Sequence, residues 1–402
     1  MKIAIFSQHF WPEKFRINEV VNEFVSQNHE VCVVTGLPNY PSGKIEKEYK
    51  SIKTKISFYK KIKIIRIPII PRLNGNGMNL FINYLSFIIS GLINLRFIKK
   101  NIDSDVIFIY GTSPILQAIP AIFLSKITNL PIILWVQDLW PESISDTGFI
   151  KNKFFLKFVS IFVRYVYKNS HKILLQSPKF MNHYNITPFR EKCEVHYNPC
   201  EYKVSEKIST KFQNNDIFKM IYSGNIGKAQ NLDFIFDLAS YSIKKNYKVK
   251  IILIGNGSEK NNIEKKINLK KFNDIINIYK YKSKDKLKET LNKCDSLIIS
   301  LNDGSVLSKT IPAKFQTYLF FSKPIFSLSS GIVNNLVVDN NLGFAARHDQ
   351  KEKILENFKK LIFLSKEEKY IIGENCFKFF EENFEIEKNC NKLIQIFKKE
   401  VN

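Results

Sequence analysis

Short apolar runs recur along this chain, each followed by a polar or glycine-bearing turn and then by a longer stretch with helical apolar spacing. Such alternation predicts parallel sheets with crossover helices, an α/β architecture. In the first half, strands are expected at Ile3 to Phe6, Glu30 to Thr35, Val106 to Tyr110, Ile132 to Val136 and Lys172 to Leu175. The turns Ser7-Gln8-His9, Gly36 to Asn39, Gly111-Thr112-Ser113 and Gln137-Asp138 then fall at the carboxyl ends of strands, where open parallel sheets bind ligands.

The pattern pauses between Asn198 and Asp216 and restarts with Lys219 to Gly224. Further strands are expected at Val249 to Ile254, Ile275 to Tyr279, Ser296 to Ser300 and Pro324 to Ser327. The chain therefore reads as two doubly wound parallel-sheet domains, residues 1–200 and 201–375, with a tail at 376–402. Phe379, Phe380, Phe384, Leu393, Ile394 and Phe397 give that tail helical spacing, and it is long enough to return to the first domain.

Two apolar stretches stand out. Asn79 to Ile98 has about the length of a membrane span, but Asn79, Asn83, Asn94 and Arg96 argue against full insertion and for a helix at a surface. Phe154 to Lys168 sets Phe154, Phe158, Ile161 and Phe162 beside Lys157, Arg164 and Lys168, the pattern of a cationic amphipathic helix.

Composition narrows the partners. With 402 residues, 45% hydrophobic and 24% charged, the chain is an ordinary globular one, and its net charge of +24 favours anionic partners. Only seven of its 61 cations are arginine, the residue on which base reading leans, so no nucleic-acid partner is expected. Its six cysteines have no C-x-x-C pair and no histidine pair to complete a zinc site. The opening Lys2 to Ser7 is strand-like and lacks a signal peptide's features, which leads us to expect a cytoplasmic protein.

No G-x-G-x-x-G follows the first strand and no P-loop motif occurs, which moves nicotinamide dehydrogenases and P-loop kinases down the list. What remains is the turn Tyr222-Ser223-Gly224-Asn225-Ile226-Gly227-Lys228, where glycines let backbone amides approach a phosphate and Lys228 adds a cation. Gly255-Asn256-Gly257 repeats the arrangement and suits a flat base or ribose. In the first half, His9 alone among the histidines sits at a ligand-facing strand end, and Asp138 and Glu142 flank Trp140-Pro141. One of those carboxylates could orient or deprotonate a bound hydroxyl, or Asp138 could cap the next helix with Glu142 in its first turn.

The ordered segments "YSGNIGKAQNLD", "LIGNGSEKNNIE", "IPAKFQTYLFFSKPI" and "NNLGF" resemble the donor-binding domain of family-4 glycosyltransferases with the GT-B fold. "NEVVNEFVSQNHEVCVVTGLPNYPSGKI" and "WVQDLWPESI" resemble that family's first domain, and the polysaccharide-assembly branch that includes L-fucosamine (FucNAc) transferases is the most similar. The resemblance implies that Gly224 to Asn231 contact a donor diphosphate and that Gly255 to Gly257 contact its base. It places Asn225 and Gln230 where many members have arginine and lysine, and Lys309 and Thr317 where they have two glutamates. Lys228, Lys309 and Lys314 could supply the missing cations, while Ser305, Gln316 and Thr317 fall in the same donor-binding segment. Gln137 stands where members often have a histidine near the donor sugar; Arg16 lies in a loop near the acceptor and diphosphate, and Tyr40 shapes the acceptor side.

The implied activity is retaining transfer from a UDP-sugar, with an N-acetylated sugar expected, without a metal or other cofactor. The acceptor expected is a polyprenyl-diphosphate-linked saccharide at the anionic inner face of the plasma membrane. A non-catalytic subunit of the same fold is the rival expectation, since the glutamate pair is missing, and a UDP-sugar 2-epimerase is disfavoured by the scarcity of acid and base residues in the donor half.

Overall fold

A computed structural model describes residues 1–50, 53–143, 152–207, 216–281, 283–302 and 307–401. They form two units: Met1–Pro199 with Ile386–Asn402, and Cys200–Glu385.

The first unit is built on an eight-stranded sheet of β1 (Lys2–Phe6), β2 (Glu30–Gly36), β3 (Lys55–Tyr59), β4 (Ile62–Ile67), β5 (Val106–Gly111), β6 (Ile132–Val136), β7 (Lys172–Leu175) and β8 (Cys193–Val195). Their order is β3-β4-β2-β1-β5-β6-β7-β8, and all neighbours are parallel except the β3/β4 hairpin. Both faces are covered, so the central strands are apolar over most of their length yet split by parity. Ile3 and Ile5 point to one core, Ala4 and Phe6 to the other. The first of these cores is closed by α1 (Ile17–Ser26) and, from the far end of the chain, by Leu393 and Phe397. Phe397 packs against Phe24 and Phe108 with ring centroids 5.9 and 5.0 Å apart.

The opposite face carries α2 (Gly77–Ile93), α3 (Leu95–Asn101), α4 (Ile119–Thr128) and α5 (Lys153–Lys168). Local chemistry starts two of these helices: Asn76 Oδ1 accepts from the Asn79 amide at 2.9 Å, and Asn152 Oδ1 accepts from the Phe154 amide at 2.9 Å. The long apolar stretch is a bent pair, α2 and α3 turning 64° at Asn94, and no single helix among the described residues is long and apolar enough to cross a membrane.

The second unit holds a six-stranded, wholly parallel sheet: β9 (Phe218–Ser223), β10 (Val249–Ile254), β11 (Ile276–Tyr279), β12 (Ser296–Ser300), β13 (Ile325–Leu328) and β14 (Gly343–Ala346), ordered β11-β10-β9-β12-β13-β14. Its helices are α6 (Phe234–Lys244), α7 (Lys260–Leu269), α8 (Lys284–Asn292), α9 (Ala313–Phe320), α10 (Ile332–Asp339), α11 (Lys351–Ile362) and α12 (Lys366–Asn383). A last helix, α13 (Ile386–Val401), belongs to the first unit, so the tail's single helical pattern is two helices parted at Phe384 and Glu385.

Sheet order locates the ligand-binding edges. Strand β1 lies between β2 and β5, and β9 lies between β10 and β12; chain direction across the sheet reverses at both. At such switch points neighbouring loops diverge and leave a crevice beyond the strands' carboxyl ends. Ser7-Gln8-His9 and Ser223-Gly224 follow these two strands.

Candidate functional site

At the second unit's switch point, two glycine turns are latched together by backbone. The Gly224 amide donates to Ile254 O at 2.9 Å, and the Ile226 amide to Asn256 O at 2.8 Å. A Cβ on Gly255 would lie 1.9 Å from Gly224 O, so only glycine lets the turns approach this closely. Tyr318, fully buried on α9, accepts from the Ser223 amide at 2.7 Å and so pins the end of β9.

Lys314, in the first turn of α9, reaches back over this edge. Its ammonium donates to Tyr222 Oη at 2.6 Å and sits 4.0 Å from that ring's centroid, and Tyr222 Oη donates in turn to Asn225 O at 2.5 Å. A Cβ on Gly224 would fall 3.0 Å from Lys314 Nζ, which puts the cation directly at the turn. No carboxylate pairs with it among the described residues, and burial pushes it down to about 7. A half-buried ammonium with no counter-ion beside a glycine turn is a site for an anion.

The remaining donor-side candidates spread around this centre. Gln230 Oε1 accepts from Asn225 Nδ2 and from the Gly227 amide, both at 3.1 Å, so the residue standing where lysine was expected folds back to brace the turn. Lys228 is exposed on the same turn and Lys309 is half-buried. Gln316 is buried with its Oε1 without a partner among the described residues, while Thr317 Oγ1 lies 4.0 Å from Cys200 Sγ. Ser305 lies outside the described residues.

In the first unit, His9 and Glu13 are both buried, and His9 Nδ1 meets Glu13 Oε2 at 2.8 Å. Glu13 Oε1 accepts from the amides of Asn39 and Tyr40, each at 2.7 Å. His9 Nε2 faces Arg72 at 3.2 Å; a guanidinium only donates, so Nε2 accepts and Nδ1 carries the proton to Glu13. The imidazole also stacks on Phe15 at 4.8 Å, and Arg72 lies 5.0 Å over the ring of half-exposed Tyr40. Arg72 Nε has no partner among the described residues. Arg16, half-buried at the start of α1, has no ion-pair partner there either.

Asp138 does not cap the turn after it. Its Oδ2 accepts from the Ser113 amide at 2.9 Å and from Ser113 Oγ at 2.8 Å, tying the loop after β6 to the loop after β5. Burial raises its carboxyl, and the Ser113 bonds partly oppose that rise. Glu142 pairs with buried His183 at 2.9 Å; burial acts to raise its carboxyl, but the His183 ring, a backbone hydrogen bond and the Tyr184 hydroxyl together outweigh it and hold Glu142 below the usual value. Gln137 accepts from Asn198 Nδ2 at 2.6 Å, leaving Gln137 Nε2 and Asn198 Oδ1 buried and without a partner among the described residues. Swapping both amides keeps one donor and one acceptor open, so the pair offers complementary hydrogen-bonding positions in either assignment.

Arg72 is absent from the sequence expectations, Tyr222 enters them only as the start of the Gly224 turn, and Asn198 and His183 are given no role there. Scarcity could have pointed to Arg72, one of seven arginines and just past an apolar strand. The others are joined to their partners only by the fold. No group of three or more His, Cys, Asp or Glu among the described residues is placed to hold a metal ion.

Residues 204–379 match the family model of glycosyl transferases group 1. No curated protein sequence matches the chain. Among solved structures, an E. coli trehalose-6-phosphate structure bound with UDP-2-fluoro glucose aligns at TM-score 0.70 and 8% identity, covering 99% of each chain. A glycosyltransferase from Rickettsia africae aligns at TM-score 0.69 and 13% identity, covering 100% of this chain and 98% of the other. Anabaena HepE in complex with UDP and glucose aligns at 0.64 and 11%, covering 99% of each. At such identities the likeness is one of fold, and that fold is GT-B.

Proposed function

We propose that this chain is a retaining glycosyltransferase that moves a sugar, an N-acetylated amino sugar such as FucNAc, from UDP to a lipid-linked saccharide in surface-polysaccharide assembly. The observation that carries the reading is Lys314, whose ammonium lies beside Gly224 at the switch point of the second sheet with no carboxylate partner among the described residues. The group 1 match over residues 204–379 and the UDP held by HepE support a nucleotide diphosphate as the anion it awaits.

In this reading the diphosphate lies on the Gly224 turn and the base near Gly255 and Gly257. As the bond from the sugar's anomeric carbon to the phosphate oxygen breaks, charge builds on the departing UDP, and Lys314 stabilises it where it forms. An acceptor oxygen forms the new bond to that carbon, and its proton passes to a base. Asp138 suits that role because burial already favours its protonated form. The His9, Glu13 and Arg72 cluster, with an open donor on Arg72, suits a phosphate of the acceptor. Work at the cytoplasmic face of an anionic membrane fits the basic chain and the cationic aromatic face of α5.

The test is calorimetry with UDP, followed by mass spectrometry of a nucleotide-sugar panel with lipid-linked acceptors. Binding of UDP that Lys314→Met weakens, together with one sugar transferred, supports the reading. Absence of both UDP binding and product sinks it; binding without turnover leaves only a non-catalytic subunit.

A further inference from the structure

Helix α2 contains no charged residue, yet only part of it faces the protein interior. Asn83, Phe87 and Gly91 are buried, whereas Phe81, Leu85 and Ile89 are 46%, 42% and 47% exposed. Between α2 and α5 lies an apolar cavity with about 160 Å³ of room, walled by Tyr84, Ile88, Leu116, Phe155 and Val159. Phe81 and Leu85 belong both to its wall and to the exposed stripe, so the cavity opens on that stripe. Ser113 lines the same cavity, and its hydroxyl donates to Asp138.

We infer that this cavity takes the hydrocarbon chain of the acceptor lipid, drawn out of the bilayer so that its polar head reaches the Ser113 and Asp138 end. The inference rests on the reading of the first unit as the acceptor side. Three observations favour a lipid chain over other occupants. The walls are almost wholly apolar, and apolar cavities stay dry and accept hydrocarbon. The neighbouring face of α5 exposes Phe154, Phe158 and Ile161 among Lys157, Arg164 and Lys168, complementary to an anionic lipid surface. The stripe of α2 at the cavity's mouth, Phe81, Leu85 and Ile89, is exposed and belongs to a helix with no charged residue, as a surface against hydrocarbon requires.

A farnesyl phosphate bearing a benzophenone, mixed with the full chain and vesicles of phosphatidylcholine and phosphatidylglycerol, tests this by photolabelling and peptide mapping. Label is expected on α2 and α5. Ile88→Trp and Leu116→Trp, which fill the cavity from two sides, should each cut it by about tenfold or more. On the unmodified protein, competing alkyl phosphates should gain about fourfold in potency per added methylene until the cavity is full, a readout that needs no variant to fold. A flat chain-length series, label confined to other elements, or filled variants labelled like the parent overturns the inference. So does concentration-dependent dimerisation that the same filling abolishes, since the occupant would then be a second copy. UDP calorimetry on the same samples separates the two readings: UDP binding without label sinks the lipid site alone, and label without UDP binding sinks the transferase reading alone.

Discussion

The two sheets present their switch points in opposite ways. The first unit builds its edge from side chains: buried Glu13 and His9 and half-buried Arg72 bond in a chain whose carboxylate is already satisfied by two backbone amides. The second builds its edge from main chain, two glycine turns in contact with one lysine hung above them. A side-chain edge can be re-specified by substitution, whereas a main-chain edge binds what every member of a chemical class shares. That contrast suits a variable acceptor on one unit and an invariant diphosphate on the other.

The largest break in the comparison is Gly255→Ala. The added methyl collides with Gly224 O, so the second unit should lose about 1–3 kcal/mol of stability and all measurable UDP binding. Chemical denaturation and calorimetry check both. UDP binding at parental strength would show that the turns do not hold the ligand.

Lys314→Met comes next. Losing a charged hydrogen bond worth about 1.5–3 kcal/mol weakens UDP by ~10- to 100-fold, with acceptor-side measurements unmoved. The free ammonium titrates at about 7, and a bound diphosphate favours its protonated form, so parental UDP affinity should fall as pH rises through that value. The methionine variant should be flat across the same range. Without ligand the sign reverses for stability: from about 7 up to the ordinary value of 10.5, the unfolded chain binds a proton that the folded one has released. Stability therefore rises with pH over that window, and Lys314→Met removes the rise.

Glu13→Gln probes the other edge. It removes the charge that orients the His9 ring, and we expect a loss of about 1–2 kcal/mol together with a raised acceptor KM and unchanged UDP affinity. Equal damage to UDP binding would erase the proposed division of labour. Asp138→Asn should cost least in stability, about 0.5–1 kcal/mol, because an amide oxygen can still accept from Ser113. Its effect should appear in kcat. Since burial raises the folded carboxyl above its ordinary 3.8, parental stability declines as pH rises from that value towards the folded one, and the asparagine variant lacks this decline.

Much of this molecule was legible in the sequence. The expected strands at Ile132 to Val136, Lys172 to Leu175 and Val249 to Ile254 coincide with β6, β7 and β10, because strands buried on both faces leave unbroken apolar runs. The strands β3, β4, β8 and β14 were not expected. Lys55, Ser57 and Lys63 interrupt the β3/β4 hairpin's apolar pattern, β8 is only three residues long, and β14 is glycine and alanine around a single large apolar residue, Phe344. The Gly224 and Gly255 turns were legible because glycine reports a local backbone need.

Position along the chain alone determined the alternation of strand and helix, the two-sheet architecture and the glycine turns. These follow from periodicity and backbone geometry, which act over a few residues. Tertiary structure alone decided which side chains meet: Arg72 with His9, His183 with Glu142, Lys314 with Tyr222, and Asp138 with Ser113. Each pair is joined across strands brought together by sheet order, and no local propensity encodes that order.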